Sequence, residues 1–175
     1  HTTTSGIVLK KTPYTGSSAV VVVYTRKYGQ IPFMVRGIGR KGTRAAMVEP
    51  LTRIDISFRR KAKTQIQTAY QIDLKQGNHF HLHPAKSAVS IFLAEVLYKT
   101  LREESADEEL YDFIENALAA FDSDTFSVNF HLVFLIALTR YFGFFPSGKW
   151  TENTPYFDLI NGHFTAQKNA SLHMF

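Results

Sequence analysis

The chain is 175 residues long, 45% hydrophobic and free of cysteine, with a formal net charge of +5. This composition suits one ordinary domain or two small ones, and it excludes a disordered chain, a disulfide framework and a thiolate metal site. Residues 1–78 hold 14 Lys and Arg against 3 Asp and Glu, whereas residues 79–175 hold 6 against 12. We therefore expect a polyanion-binding module followed by a module with another task, the alternative being ordinary surface charge that is unevenly placed.

The first half of the chain has the patterns of five short β-strands separated by turns. They are predicted at residues 6–10, 19–25, 30–36, 54–58 and 64–74. In the fourth, Ile54, Ile56 and Phe58 share one face, and in the fifth a single alternation runs from residue 64 to residue 74. Because the connections resemble hairpins and leave no room for a crossover helix, we expect a five-stranded barrel of the OB-fold type.

The second half has the patterns of helices. Pro84 suits the first turn of a helix over residues 84–102, and Ser105 with Glu108 forms a capping-box pattern that opens a second helix reaching Phe121. The apolar stripe of the first of these helices is predicted to hold Ala88, Phe92 and Val96, with Leu93 and Leu97 as further candidates.

A third helix is predicted over residues 126–142, apolar on nearly all sides as is typical of a central, buried helix, with Gly143 and Pro146 as its stops. Further on, Asn161-Gly162 lies between two short apolar runs and predicts a type I′ hairpin over residues 156–165. The predicted fold is therefore α+β, with an OB-fold barrel over residues 1–78 and a helical domain over residues 79–175.

Basic residues on the turns of the predicted barrel are the candidate contacts for a polyanion. Gly37, Gly39 and Gly42 match the spacing of a dinucleotide-binding loop, but the match is weak by itself and no full helix follows it. Glycines among basic side chains suit close contact with a phosphate chain better, and a solvated basic loop is the alternative. The basic candidates are Arg26, Lys27, Arg36, Arg40, Lys41, Arg44, Arg59, Arg60, Lys61 and Lys63.

Aromatic rings beside basic residues are the second element of single-strand binding, because every base has a face that can stack. The aromatic residues of the right type are Tyr14, Tyr24, Tyr28, Phe33, Phe58 and Tyr70. Phe33 and Phe58 fall on the apolar phase of their strands and are predicted to be core residues. Tyr14 and Tyr28 lie in turns and are the preferred stacking candidates.

His79, His81 and His83 alternate, and in an extended segment all three would point to one side. Three imidazoles can bind a metal, but no carboxylate lies close in sequence, so a surface linker is the preferred interpretation and no metal or cofactor is predicted. No nucleophile elbow or Walker loop is present, and nothing indicates an enzyme. Without a signal region or a long apolar run, the chain is expected to be soluble and cytoplasmic.

Several segments, taken in order, resemble the RecO family of DNA recombination and repair proteins, particularly its cysteine-free, Bacteroidetes-type members. In the barrel half these are residues 6–11 (GIVLKK), 24–29 (YTRKYG), Gly37 with its basic followers, and 49–51 (EPL) in the place of the family's QPL. In the helical half they are residues 92–98 (FLAEVLY), 101–104 (LREE), 129–135 (NFHLVFL) with Gly143 and Pro146, and 156–159 (YFDL). The chain lacks the four zinc-binding cysteines of some members, so no zinc is carried over, and the family's last helices are expected to be missing.

The resemblance implies a nucleoid-associated mediator of recombinational repair that binds single- and double-stranded DNA, anneals complementary strands and helps load the recombinase together with RecR. By position, the basic loop at Arg36, Arg40, Lys41 and Arg44 would contact DNA, and the other six basic candidates and Tyr28 are expected to contribute to the same DNA site. The helical half would hold the acidic C-terminal tail of single-stranded DNA-binding protein, with Arg140, Phe134, Leu138 and Tyr141 as candidates. Arg140 could equally be a helix-end arginine that complements the dipole. A general RNA- or oligonucleotide-binding protein and a protein–protein adaptor are the alternative functions.

Overall fold

The computed structural model of the chain describes residues 1–38, 43–75, 79–101, 105–123 and 127–168. The chain divides into two compact units, His1–Ser127 and Val128–Phe175, which are described separately below. The first unit therefore includes helices that follow the barrel as well as the barrel itself. The predicted domain boundary at residue 78 stays a prediction.

Five strands close a barrel in the first unit, in the order β1-β2-β3-β5-β4, and the predicted OB-fold barrel is confirmed. The strands are β1 (Thr2–Pro13), β2 (Ala19–Thr25), β3 (Gly29–Val35), β4 (Arg53–Phe58) and β5 (Gln67–Leu74). A four-residue helix, α1 (Thr43–Ala46), lies between β3 and β4. The expectation of hairpin-like connections throughout is wrong, because β4 pairs with β1 and β3 pairs in parallel with β5 at Phe33 and Met34.

The barrel interior is filled by apolar side chains that alternate inward along the strands. Phe33 and Phe58 are fully buried and meet edge to face with their ring centroids 4.9 Å apart, which confirms their prediction as core residues. The rest of this core consists of Val8, Ala19, Val21, Val23, Ile31, Val35, Val48, Ile54 and Ile56.

The single alternation predicted for the fifth strand is wrong. The register between β4 and β5 shifts between Ser57 and Phe58, so the inward phase of β5 changes along its length. Gln67 is buried near the start of the strand, whereas Ile72 packs against the core near its end. Tyr70 lies between Gln67 and Ile72 and is 53% exposed, so its ring lies at the surface of the barrel.

A short 3-10 helix (Phe80–Leu82) leads into α2 (Pro84–Thr100), which begins at the predicted proline. Leu93 and Leu97 are fully buried, but the stripe predicted through Ala88 and Phe92 is wrong because both residues are exposed. Apolar residues lie all around this helix, so their periodicity does not identify the packed face. That face also contains Lys86, whose ammonium donates to the Ser123 carbonyl at 2.6 Å.

The next helix, α3 (Glu108–Asp122), packs on the outside of the barrel. Its N-cap is Asp107 and not the predicted Ser105, because the Asp107 carboxylate accepts a hydrogen bond from the Leu110 backbone N–H at 2.8 Å. The Tyr111 ring lies 5.9 Å from that of Tyr24 on β2. The buried face of α3 consists of Leu110, Tyr111, Ile114, Leu118 and Phe121.

The second unit begins with α4 (Phe130–Leu138), which is shorter than the predicted helix; the predicted start, Phe126, lies outside the described residues. Within α4 only Phe134 and Leu138 are buried, so the expectation of a central, buried helix is wrong. Turns follow α4 and include Gly143, which has a φ of +77°. The predicted stop at Gly143 is wrong, because the helix already ends at Leu138.

The second unit ends in a hairpin of β6 (Tyr156–Asp158) and β7 (His163–Thr165). The predicted type I′ turn is wrong, because four residues separate the last pair, Asp158 and His163. The Asp158 carboxylate accepts hydrogen bonds from the backbone N–H groups of Ile160 and Asn161 and from the Asn161 side chain. These bonds, led by the Asn161 side chain, lower the pKa of Asp158 and give the loop its shape.

Candidate nucleic-acid interface

Basic side chains on one side of the barrel are paired with carboxylates of α3. Arg26 pairs with Asp112, and Lys75 pairs with Glu115. Arg53 is 7% exposed and lies 3.6 Å from Asp122. A side chain held in this way is a poor contact for a phosphate, because it would have to leave a carboxylate first. Part of the positive charge of the barrel is therefore used inside the first unit.

Seven of the basic side chains predicted to contact DNA are exposed and have no carboxylate partner within the described ranges of the chain. They are Lys27, Arg36, Arg44, Arg59, Arg60, Lys61 and Lys63. All of them are among the residues predicted from the sequence, whereas Arg40 and Lys41 lie outside the described residues. Unpaired basic side chains gathered on one domain are the electrostatic footprint of a polyanion site.

Four of the unpaired cations lie on the loop between β4 and β5, residues 59–66, which the side chain of Gln67 holds in shape. The Gln67 carbonyl accepts from the Lys61 N–H at 2.9 Å, and its amide donates to the Lys61 and Thr64 carbonyls at 3.0 and 2.7 Å. Gln67 is 7% exposed, so these bonds are sheltered from water. Nothing in the sequence pattern identifies this role.

The β4–β5 loop meets Tyr28 at the barrel surface. The Arg60 guanidinium lies over the Tyr28 ring, 4.9 Å from its centroid, and the Tyr28 hydroxyl is 3.0 Å from the Thr2 hydroxyl. Tyr28 also meets Phe58 edge to face, which anchors the ring to the core. A small pocket of about 70 Å³ opens here beside Pro32. The predicted stacking candidate Tyr28 is therefore only partly accessible.

The remaining unpaired arginines line a cleft of about 270 Å³ between α1 and β5, which we call the α1–β5 cleft. It is bounded by Arg36, Arg44, Met47, Thr68, Tyr70 and Ile72. Arg44 Nη1 donates to the Arg36 carbonyl at 3.2 Å, so the guanidinium is held at the rim. Gly37 has a φ of +72°, and a Cβ there would lie 3.1 Å from Arg44 Nη1.

The two pockets lie on either side of the short ladder between β3 and β5. Strands 2 and 3 and the loop between strands 4 and 5 are the elements with which OB-folds hold oligonucleotides. The outward side chains on this face are half-buried and mostly apolar: Val20, Val22, Pro32 and Met34. This face of the barrel therefore offers half-buried apolar side chains to a ligand.

The other predicted aromatic contacts differ in accessibility. Tyr14 is 64% exposed in the turn after β1 and can present its ring to a base. Tyr24 is 3% exposed, and burial raises its pKa to about 12, so it serves the contact with α3. Arg26 makes its contacts with α3 as well. Of the residues predicted to bind DNA, Arg26 is thus the one that the structure shows to be held by a carboxylate.

The three alternating histidines do not lie in an extended segment, because the 3-10 helix turns the chain between them. His81 is half-buried with its Nε2 3.1 Å from the Thr52 hydroxyl, and burial lowers its pKa. The His79 backbone N–H donates to Asp122 at 2.7 Å, and His83 precedes α2. No group of side chains suited to hold a metal ion is found in the part of the chain that the structure describes.

In the second unit the predicted partner-binding residues have unequal exposure. Phe134 and Leu138 are each 3% exposed and support the fold. Arg140 is exposed and its guanidinium lies over the Phe145 ring, 4.5 Å from the centroid, while Tyr141 is half-buried. Of the four, Arg140 and Tyr141 can meet a partner without rearrangement. None of the described helices is long and apolar enough to cross a membrane.

Comparison with known proteins covers both halves of the chain. The family model described as "Recombination protein O N terminal" matches residues 1–78, and "Recombination protein O C terminal" matches residues 81–152. The chain is 33% identical to the DNA repair protein RecO of Christiangramia forsetii over 166 residues, which are 92% of this chain and 69% of that protein. It is 31% identical to the protein of the same name from Bacteroides fragilis over 172 residues, 93% of this chain and 69% of the relative.

Proposed function

The chain belongs to the RecO family of DNA repair proteins, and from that premise we propose that it binds DNA through the unpaired basic side chains of its barrel. The observation that carries the proposal is the division of the basic residues. Those facing α3 are paired with carboxylates, and those on the β4–β5 loop and at the α1–β5 cleft are exposed and unpaired. Unpaired cations can exchange their counterions for phosphates without losing an internal partner.

Binding of this kind depends on phosphates and therefore serves both single- and double-stranded DNA. Arg59, Arg60, Lys61 and Lys63 follow one another on a loop that Gln67 holds in place, so they present charge along a backbone without needing one fixed base sequence. Exposed rings such as Tyr14 add stacking on unpaired bases. The result is a site that tolerates any sequence and weakens with salt.

The same chemistry supports annealing of complementary strands, which requires no covalent step. Two strands repel each other through their phosphates, and a basic surface that neutralises part of this charge lets pairing proceed. Stacking holds bases unpaired and accessible, while contacts that exchange readily allow the finished duplex to leave. The mechanism assigns the barrel a binding role and no catalytic residue.

We also propose two protein partners, RecR and the acidic tail of single-stranded DNA-binding protein, which together would connect the chain to loading of the recombinase. For the tail, the second unit offers Arg140 beside exposed rings, since Phe144 and Phe145 are 62% and 41% exposed. An arginine over an aromatic ring suits a carboxylate followed by an apolar residue.

The proposal is tested by the salt dependence of the affinity for single-stranded DNA. Replacing Arg60 and Lys61 together by alanine removes two phosphate contacts and is expected to flatten the slope of log affinity against log salt by about 1.4. The matched control replaces Lys11 and Lys99 by alanine. This double replacement removes the same amount of charge, but these two lysines are paired with Glu49 and Glu95. Equal slopes for the wild type and both variants would remove the β4–β5 loop from the site.

Replacing Arg40 and Lys41 by alanine tests the glycine-rich loop in the same assay. The slope of log affinity against log salt is expected to become flatter by about one to two units. Matched DNA and RNA oligonucleotides separate DNA repair from general RNA binding, because the 2′-hydroxyl is the distinguishing group. Retention of the acidic tail by the wild-type chain, together with no binding of DNA by the same protein, would favour the adaptor alternative.

A further inference from the structure

The α1–β5 cleft has a different chemistry from the β4–β5 loop, because it combines an apolar floor with two arginines and an exposed ring. We propose that this cleft takes one unpaired nucleotide of a bound single strand, with its base against Tyr70 and its phosphate between Arg36 and Arg44. The inference rests on the proposed DNA binding. It makes this cleft responsible for the preference for single strands over duplexes.

The floor of the cleft suits the flat face of a base. Val35 is 5% exposed and paired with Ala19 of β2, and Ile72 packs against the barrel core. Met47 adds a thioether, a polarisable group that packs well against aromatic rings. Because these side chains belong to the barrel strands or to the turn after α1, the floor is formed before any nucleotide arrives.

Tyr70 supplies the stacking surface at the rim. It is 53% exposed because the register shift between β4 and β5 turns this part of the strand outward. The neighbouring Thr68 is also exposed and lines the same cleft. A tyrosine that rises from a strand beside an apolar floor is the arrangement with which single-strand binders hold bases.

The two arginines provide the phosphate contact. Arg44 uses one N–H on the Arg36 carbonyl, and a guanidinium has five, so the remaining donors stay available. Neither arginine has a carboxylate partner among the residues that the structure describes. Gly37 leaves the space through which Arg44 reaches the Arg36 carbonyl, because a Cβ at residue 37 would lie 3.1 Å from Arg44 Nη1.

The accessibility of the base decides which strand the cleft accepts. At about 270 Å³ the cleft has room for the base of a nucleotide. A base inside a duplex has both faces covered and enters only after it is unpaired and unstacked. The β4–β5 loop contacts phosphates, which both forms of DNA possess, so the preference for single strands is expected to depend on the cleft.

The test measures affinity for a single strand and for a duplex of the same length by fluorescence anisotropy. Tyr70→Ala is expected to weaken single-strand binding about tenfold and to leave duplex binding unchanged, because one stacked base is lost. Tyr70→Phe keeps the ring and should restore the single-strand affinity. Thr68→Trp fills the cleft from an exposed strand position and should reproduce the effect of Tyr70→Ala. Trp150→Ala, which removes a ring of the second unit that is 62% exposed, is the control and should leave both affinities unchanged.

Failure of the inference and failure of the proposed function give different results. If the wild type binds neither strand nor duplex, DNA binding itself is wrong. If the wild type binds both and Tyr70→Ala weakens them equally or not at all, only the cleft assignment is overturned. A free nucleotide could occupy the same cleft. If the wild type binds dAMP, and Tyr70→Ala abolishes this binding without changing the affinity for a single strand, the assignment of the cleft to DNA is also overturned.

Discussion

The guanidinium of Arg26 and the carboxylate of Asp112 form a two-point contact, with Nε 3.0 Å from Oδ1 and Nη2 2.8 Å from Oδ2. These hydrogen bonds raise the pKa of Arg26 above its ordinary value. The contact ties the turn after β2 to α3, so Arg26 serves the joint between barrel and helix. The adjacent Lys27 is exposed and is one of the unpaired cations.

Arg26→Ala and Lys27→Ala are therefore expected to have opposite effects. Arg26→Ala should lower the midpoint of urea unfolding and leave the salt slope of DNA binding as it is, because the residue pairs inside the unit. Lys27→Ala should leave the midpoint in place and flatten the slope by about 0.7, the contribution of one phosphate contact on a single strand. A flattened slope in Arg26→Ala would mean that the residue leaves Asp112 to contact DNA.

Gln67 is expected to act on DNA through the shape of the β4–β5 loop. Gln67→Ala removes three hydrogen bonds to the loop backbone and should cost about 1 kcal/mol of unfolding free energy. DNA affinity should fall while the salt slope stays close to that of the wild type, because every cation remains. Gln71→Ala, an exposed glutamine on the same strand, is the control and should change neither quantity. Unchanged affinity in Gln67→Ala would show that the loop needs no support.

The N-cap of α3 gives a test of local structure. Asp107→Ala should lower the unfolding free energy by about 1 kcal/mol, because the Leu110 N–H loses its acceptor. Ser105→Ala should have no measurable effect, although the sequence pattern assigns the cap to that residue. Chemical denaturation of the two variants side by side decides between the two positions, and a larger loss for Ser105→Ala would contradict the structure.

The stability of the first unit is expected to fall as the pH is lowered through the ordinary pKa of histidine. Burial lowers the pKa of His81, partly offset by Glu49 and Asp122, so the unfolded chain takes up a proton at a pH where the folded chain does not. The loss should develop below pH 6.5 and shrink in His81→Gln. Urea unfolding between about pH 7.5 and about pH 5.5 measures it, above the range in which carboxylates titrate. His83→Gln changes an exposed histidine and is the control, which should keep the pH dependence of the wild type. If His81→Gln also keeps that pH dependence, the effect belongs to another group.

Local patterns predict the barrel well, because alternation and turn residues are properties of short segments. β2 spans residues 19–25 as the sequence predicts, and α2 begins at Pro84. The uneven distribution of charge likewise predicts that the front half carries the cations. The register shift in β5 is beyond such reasoning, since it depends on how Ser57 and Phe58 face the neighbouring strand.

The interface itself depends on contacts between distant positions. Arg26 and Lys27 are adjacent and chemically similar, yet only the partner 86 positions away makes Arg26 unavailable. Gln67 gains its role from backbone atoms of a loop that no periodic pattern describes. The burial of α4 is likewise not predictable from its composition. Its residues are almost all apolar, but only Phe134 and Leu138 are buried, because burial depends on the elements that pack against the helix.

Photo-crosslinking tests the location of the DNA site most directly. A single strand carrying 5-iodouracil is bound to the wild-type protein, irradiated and digested, and the crosslinked peptides are identified by mass spectrometry. We expect crosslinks in the peptides that contain Tyr70, Tyr28 or Tyr14, on the side of the barrel that bears the unpaired cations. Crosslinks confined to α2 and α3, with none on the barrel strands and their loops, would contradict the account.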